Sequence, residues 1–159
     1  MFPVVRSLIG CLSVAACCAS ADASLVTVHL DSATGVGSGL SYGAAYQGTM
    51  VWSYTSGASA TVTVNLTNTS SVASNLAAFV VGLANTSMTV TQVSVPTGFS
   101  QLTGNGLKAT PFGDFDWGSS STGSFNGGGN NTGLAQGQSG TWVFSVSGTA
   151  AALAAALLL

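Results

Sequence analysis

The sequence predicts an all-β fold: one antiparallel β-sandwich, jelly-roll-like, of about seven to nine strands, with a short C-terminal helix. Three observations carry this. Hydrophobic alternation with period two recurs along the chain, while sustained helical periodicity is scarce. Clusters of Gly, Asn, Ser and Pro punctuate it at near-regular intervals, as turns do. Only 4% of the 159 residues are charged whereas 47% are hydrophobic, against about 25% charged in ordinary domains. A core of Val, Leu and aromatics is therefore available, and the exterior must be Ser, Thr, Asn and Gly.

The elements follow in chain order. Ser24 to Leu30 places Val26, Val28 and Leu30 on one face and His29 on the other. Thr49 to Tyr54 groups Met50, Trp52 and Tyr54. Ser59 to Leu66 is the cleanest alternation, with Ala60, Val62, Val64 and Leu66 facing one way and Ser59, Thr61, Thr63 and Asn65 the other. Leu76 to Leu83 is apolar on both faces, as a central strand would be. Met88 to Val95 and Thr141 to Ser147 complete the set, the last with Trp142, Phe144 and Val146 inward. Thr and Val dominate these segments, which suits a pleated, half-buried surface. Turns fall at Gly35 to Gly39, Ser56-Gly57, Asn68 to Ser71, Asn85-Thr86, Pro96 to Gly98 and Gly104 to Gly106. No segment offers the crossover helix of a βαβ unit.

Two stretches break the pattern. Residues 118–140 are rich in Gly, Ser, Asn and Thr, with Gly127-Gly128-Gly129 at the centre, and read as one long surface loop. Phe112, Phe115 and Trp117 would pin one end of it and Trp142 the other. Ala150 to Leu159 is wholly apolar and favours helix. Ten residues are too few to cross a bilayer, and the expectation is a sequence cut short after Leu159.

Residues 1–23 read as an export signal, followed by a domain over 24–149 and the apolar segment 150–159. Arg6 supplies the positive start, Leu8 to Ala16 the apolar run, and Ala21-Asp22-Ala23 the small-x-small cleavage site. The apolar run is too short to span about 30 Å of hydrocarbon. An alternative is open: Val14-Ala15-Ala16-Cys17 resembles the lipobox of bacterial lipoproteins, with Cys17 as the lipidated residue. Under ordinary secretion Cys11, Cys17 and Cys18 all leave with the signal, and no disulfide framework remains.

Beyond residue 23 the ionisable side chains are few: Lys108, Asp31, Asp114, Asp116 and His29, with no Glu, Arg or Cys. The raw material for acid–base pairs, cysteine nucleophiles, zinc clusters and phosphate clamps is missing. A formal net charge of −2 is far too weak to steer nucleic acid. No catalytic constellation is expected.

The segment Pro111-Phe112-Gly113-Asp114-Phe115-Asp116-Trp117-Gly118, the run Asn126-Gly127-Gly128-Gly129-Asn130, and Gly133-Leu134-Ala135-Gln136-Gly137-Gln138-Ser139-Gly140-Thr141-Trp142-Val143-Phe144 together resemble secreted bacterial proteins of the PEP-CTERM (exosortase-sorted) class. The resemblance is close over residues 111–146 and loose over 49–148. It implies an exported, β-rich protein of the envelope or biofilm matrix, of largely uncharacterised role, with exopolysaccharide or envelope components as partners. The Val-Pro-Glu-Pro-like sorting tail of that class is missing from these residues. A competing reading of the same end is a GPI signal, with Asn130 or Asn131 as the anchor site and Thr132 to Gly140 as the spacer. Sequons at Asn65, Asn68, Asn85 and Asn130 would suit it.

Two candidate sites remain. Asp114-Phe115-Asp116 is the one carboxylate pair. Residues two apart in a strand share a face, so both acids, with Asn126, Asn130 or Asn131, would offer oxygens to calcium; the simpler reading puts both on a turn, solvated. No other cofactor is expected. Trp52, Tyr54, Trp117 and Trp142 would form a sugar-stacking platform if exposed, as in a carbohydrate-binding module, or core if buried. Lys108 is expected in a solvated turn and His29 exposed.

Overall fold

A computed structural model describes residues 24–31, 45–83, 87–108, 113–124 and 132–155. The expected export signal with Cys17, together with Phe112, Asn126, Asn130, Asn131 and the final four residues, lies outside the described residues. Among the described residues eight strands form: β1 (Ser24–Asp31), β2 (Tyr46–Tyr54), β3 (Ser59–Asn68), β4 (Ala78–Val81), β5 (Thr89–Ser94), β6 (Ser100–Lys108), β7 (Asp114–Ser120) and β8 (Ser139–Ser147). A helix, α1 (Ala150–Ala155), follows. Thr149 caps α1: its hydroxyl accepts the Ala152 amide at 3.2 Å. Ala152 and Leu153 turn into the core.

All pairings are antiparallel. One sheet runs β1-β2-β3-β8-β5 and the other β4-β7-β6, so the architecture is an all-β sandwich with β8 inserted between β3 and β5. The alternation read in β3 and β8 is what the register pairs: Ala60 lies opposite Val146, Val62 opposite Phe144 and Val64 opposite Trp142. All six are buried. The facing sheet answers with Phe79 of β4 and Trp117 of β7. Phe79 meets the Trp142 ring edge-on at 5.2 Å, and Trp117 meets Phe144 at 4.6 Å. Such pairs add about 0.5–1.5 kcal/mol each beyond burial. The indole N–H groups of Trp117 and Trp142 are buried in this cluster without an acceptor among the described residues, a cost the aromatic packing must outweigh.

Three expectations are corrected. The strand expected over Leu76 to Leu83, central and doubly buried, is the four-residue β4 at a sheet edge, with every residue half-buried. Its flanks leave the ladder for other partners. Leu76 exchanges backbone bonds with Leu134, and the Leu83 amide is taken by Asp116. The turn expected at Gly104 to Gly106, with Lys108 beyond it, is interior to β6. The β6–β7 register shifts between Thr103 and Leu107, and Gly104 adopts φ +129°, so the glycines mark a bulge within a strand. Lys108 is the last residue of β6, exposed and opposite Asp114. The long loop expected over 118–140 is also too broad. Gly118, Ser119 and Ser120 are buried in β7, Leu134 is buried, and Ser139 and Gly140 open β8.

The buried hydroxyls of that region are satisfied by backbone carbonyls. The Ser119 hydroxyl donates to the Ser100 carbonyl at 3.0 Å, and the Ser120 hydroxyl to the Ser124 carbonyl at 2.7 Å. On the free side of β5 and β6, two glutamines join the sheets. The Gln92 and Gln101 side chains each accept the other's backbone amide, at 2.8 and 2.7 Å, and Gln101 Nε2 donates to the Val90 carbonyl at 2.8 Å. Two sheet edges are thereby occupied by side chains acting as backbone.

Candidate functional site

Asp114 and Asp116 occupy alternate positions of β7, on the face opposite Phe115 and Trp117. They are strand residues, in place of the expected solvated turn. Asp114 is exposed. Asp116 is half-buried, and its Oδ2 accepts the Leu83 backbone amide at 2.6 Å, fixing the exit of β4 to the neighbouring strand. A carboxylate receiving a backbone N–H is a strong hydrogen bond, so Asp116 has a structural task. No group of three or more His, Cys, Asp or Glu side chains comes together among the described residues.

The tryptophans are core. Trp52 is 7% exposed, Trp117 1% and Trp142 0%, so none presents a face to a sugar ring. Tyr54 is half-buried, and its hydroxyl donates to the Gly57 carbonyl at 3.2 Å. Of the four sequon asparagines, Asn68 is 1% exposed, with its amide spent on Ser74 and Leu134 carbonyls. Asn65 is half-buried on the outer face; Asn85 and Asn130 lie outside the described residues.

The register assembles something else. His29, Thr49, Asn65 and Thr141 stand side by side across β1, β2, β3 and β8. One step along the same outer face stand Asp31, Gln47, Thr67 and Ser139. These two polar rows line an open hollow of about 540 Å³. Between them, pointing to the core, runs the row Leu30, Gly48, Leu66, Gly140. A Cβ on Gly48 would collide with the Asn65 carbonyl, and one on Gly140 would lie 2.8 Å from the Trp142 ring and 2.9 Å from Pro96. At Gly48 the β2 backbone thus lies closer to that of β3, and at Gly140 the β8 backbone closer to Trp142 and Pro96, than a side chain would allow.

The lining is already hydrogen-bonded within itself. The Thr141 hydroxyl donates to Asn65 Oδ1 at 2.8 Å, Asn65 Nδ2 reaches Thr49 Oγ1 at 3.5 Å, and the Thr67 and Ser139 hydroxyls share a bond of 2.7 Å. His29 and Asp31 are the ionisable groups of the lining, both on the edge strand β1. The Tyr46 phenol nearby is pushed above its ordinary 10.0 by partial burial and by the Asp31 carboxylate.

Sequence reading placed His29 on the exposed face and Thr61, Thr63 and Asn65 outward, as found. It missed the hollow because alternation within a strand says nothing of which outward residues become neighbours.

The molecule is thus an all-β sandwich with a polar hollow on the outer face of its larger sheet. No protein family, no curated protein and no solved structure matches this chain. No helix among the described residues is long and apolar enough to cross a membrane.

Proposed function

We propose that this chain is a non-enzymatic, exported protein of the bacterial envelope or extracellular matrix, of the kind the PEP-CTERM resemblance implies. One observation carries the reading: an export-type segment over residues 1–23 precedes a sandwich whose larger sheet presents hydroxyls and amides outward. Such a surface is solvated by neutral groups, so contact with other molecules is made by hydrogen bonds, with little long-range steering. The aromatic sugar platform has no support, because its three tryptophans are core. The partners of this reading are exopolysaccharide or envelope components, and nucleic acid is outside it.

The test is export itself. The full chain expressed in a Gram-negative host should reach the periplasm or medium, with a new N-terminus at Ser24, or at Asp22 where Ala19-Ser20-Ala21 serves as the cleavage site. A processed chain beginning at a lipidated Cys17 would select the lipoprotein route instead. Retention in the cytoplasm with Met1 intact would refute the proposal.

A further inference from the structure

We propose that the hollow across β1, β2, β3 and β8 is a binding site for a neutral polysaccharide chain, held by hydrogen bonds without aromatic stacking. The inference deepens the matrix reading, which it needs for the source of the ligand; the chemistry of the hollow stands on its own.

The lining selects by elimination. An apolar ligand would bury hydroxyls and amides without partners, which is costly. An anionic ligand finds no Lys or Arg in the lining and meets the Asp31 carboxylate at its margin. A peptide adding itself as a strand needs free backbone groups, and the floor of the hollow is sheet face, where those of β2 and β3 are used in the ladders on both sides. What remains is a neutral ligand that both donates and accepts many hydrogen bonds. Hydroxyls and primary amides do both as well, so Thr49, Asn65, Thr141, Gln47, Thr67 and Ser139 match it in kind, each hydroxyl or amide keeping further donor or acceptor capacity beside the bonds within the lining.

Geometry favours a chain over a single sugar. The two rows cross four strands about 4.8 Å apart, roughly 14 Å in all, and strand spacing is close to the advance of one pyranose unit. The volume of about 540 Å³ lies within the usual range of ligand sites, roughly 300–1,000 Å³. The hollow is open, so a polymer can lie across it without presenting an end. Its side chains are held ready by the Thr141–Asn65 and Thr67–Ser139 bonds, and β-branched Thr loses little freedom on binding. Without stacking, each contact is weak, and strong retention comes from many copies on one polymer.

The experiment is native affinity electrophoresis of the full protein in gels containing dextran, galactomannan, xylan or mixed-linkage β-glucan, with alginate as the anionic probe. At least one neutral polymer should slow the protein twofold or more, and alginate less. The double substitution Gln47→Ala/Thr141→Val should weaken that retardation at least fivefold. Thr61→Val, on the same face outside the hollow, should leave it unchanged. Thr67→Val, which conserves shape, is the second variant should the double one melt early, and should weaken retardation at least twofold. Absence of retardation by every neutral polymer, a preference for alginate, or hollow variants slowed like the wild type would each overturn the proposal. A protein that is exported but never retarded loses this site alone; one that is retarded but retained in the cytoplasm loses the export reading alone.

Discussion

Replacing Asn68 by alanine should destabilise the sandwich more than truncation of any other side-chain amide among the described residues. Asn68 ends β3 on the inward face, where the preceding positions are apolar. Its Nδ2 donates to the Ser74 carbonyl at 2.8 Å and the Leu134 carbonyl at 2.9 Å, and its Oδ1 accepts the Ser70 amide at 3.1 Å. Its own backbone receives Gly137 and donates to Gln138, so the residue binds the segment after β3 to the segment before β8. Truncation removes three side-chain bonds, but the losses differ. The Leu134 carbonyl keeps the Leu76 amide, whereas the amide of the buried Ser70 loses the side-chain acceptor beside it. Net hydrogen bonds are worth about 0.5–1.5 kcal/mol each and an orphaned buried group about 1–3. The sum, with water repairing the half-buried Ser74, is roughly 2–4 kcal/mol out of a total near 5–15. For a domain of this size that is roughly 8–16 °C in Tm. Urea unfolding followed by far-ultraviolet circular dichroism measures it. A loss below about 0.5 kcal/mol with unchanged m-value would show that Asn68 is not the tie its geometry describes.

Other consequences are as direct. Gln101→Ala removes two of the three clasp bonds, those to the Gln92 amide and the Val90 carbonyl, and leaves the Gln101 amide on Gln92. It should cost about 1–2 kcal/mol and raise light scattering on mild heating, since the β5 edge opens, and an unaltered scattering curve would count against the clasp. Asp116→Ala should lower stability by about 1.5–3 kcal/mol through the lost charged acceptor, while Asp114→Ala stays within about 0.5; EDTA should leave the wild-type melt unmoved, and a drop of several degrees would instead place calcium at the pair. Gly48→Ala should cripple folding, because its Cβ has no room against the Asn65 carbonyl; soluble expression near wild type would contradict that geometry. Tyr46, whose folded pKa is raised above 10.0, favours its neutral form in the native state. That stabilisation is whole below about pH 10 and is lost as pH rises through the folded value; melts from pH 8 to 11 should steepen above 10 in the wild type and less in Tyr46→Phe.

The most legible strands are β3 and β8, whose inner faces carry an unbroken apolar row. β3 and β8 sit inside the five-stranded sheet, so one face is wholly core, and strict alternation of Val, Leu and aromatics was bound to appear. β6 and β7 were illegible for a local reason. Gly104-Asn105-Gly106 and Gly118-Ser119-Ser120 carry turn chemistry, yet pairing overrides it. The first glycine makes a bulge, and the two serines bury hydroxyls that find backbone carbonyls. Propensity is a weak prior beside a ladder of neighbours. The hollow was hidden for a different reason, since it exists only once four strands are in register.

A chain with so few charges faces a problem that ion pairs solve elsewhere: how to fix loops and edges to a sheet. Here amides take that role. Asn68 ties two connections, Gln92 and Gln101 bind two edges, and Gln138 Oε1 accepts the Ala135 amide at 2.9 Å to close the turn before β8. A side-chain amide offers the same donor and acceptor as the backbone, so it can complete a ladder that a carboxylate or ammonium would spoil. Its bonds carry no net charge and are therefore screened little by salt. The same chemistry recurs on the outer face, where Asn65 and Gln47 stand among threonines. One economy of residue types then accounts for both the amide ties that fix these connections and the neutral, hydrogen-bonding outer face on which the proposed polysaccharide site rests.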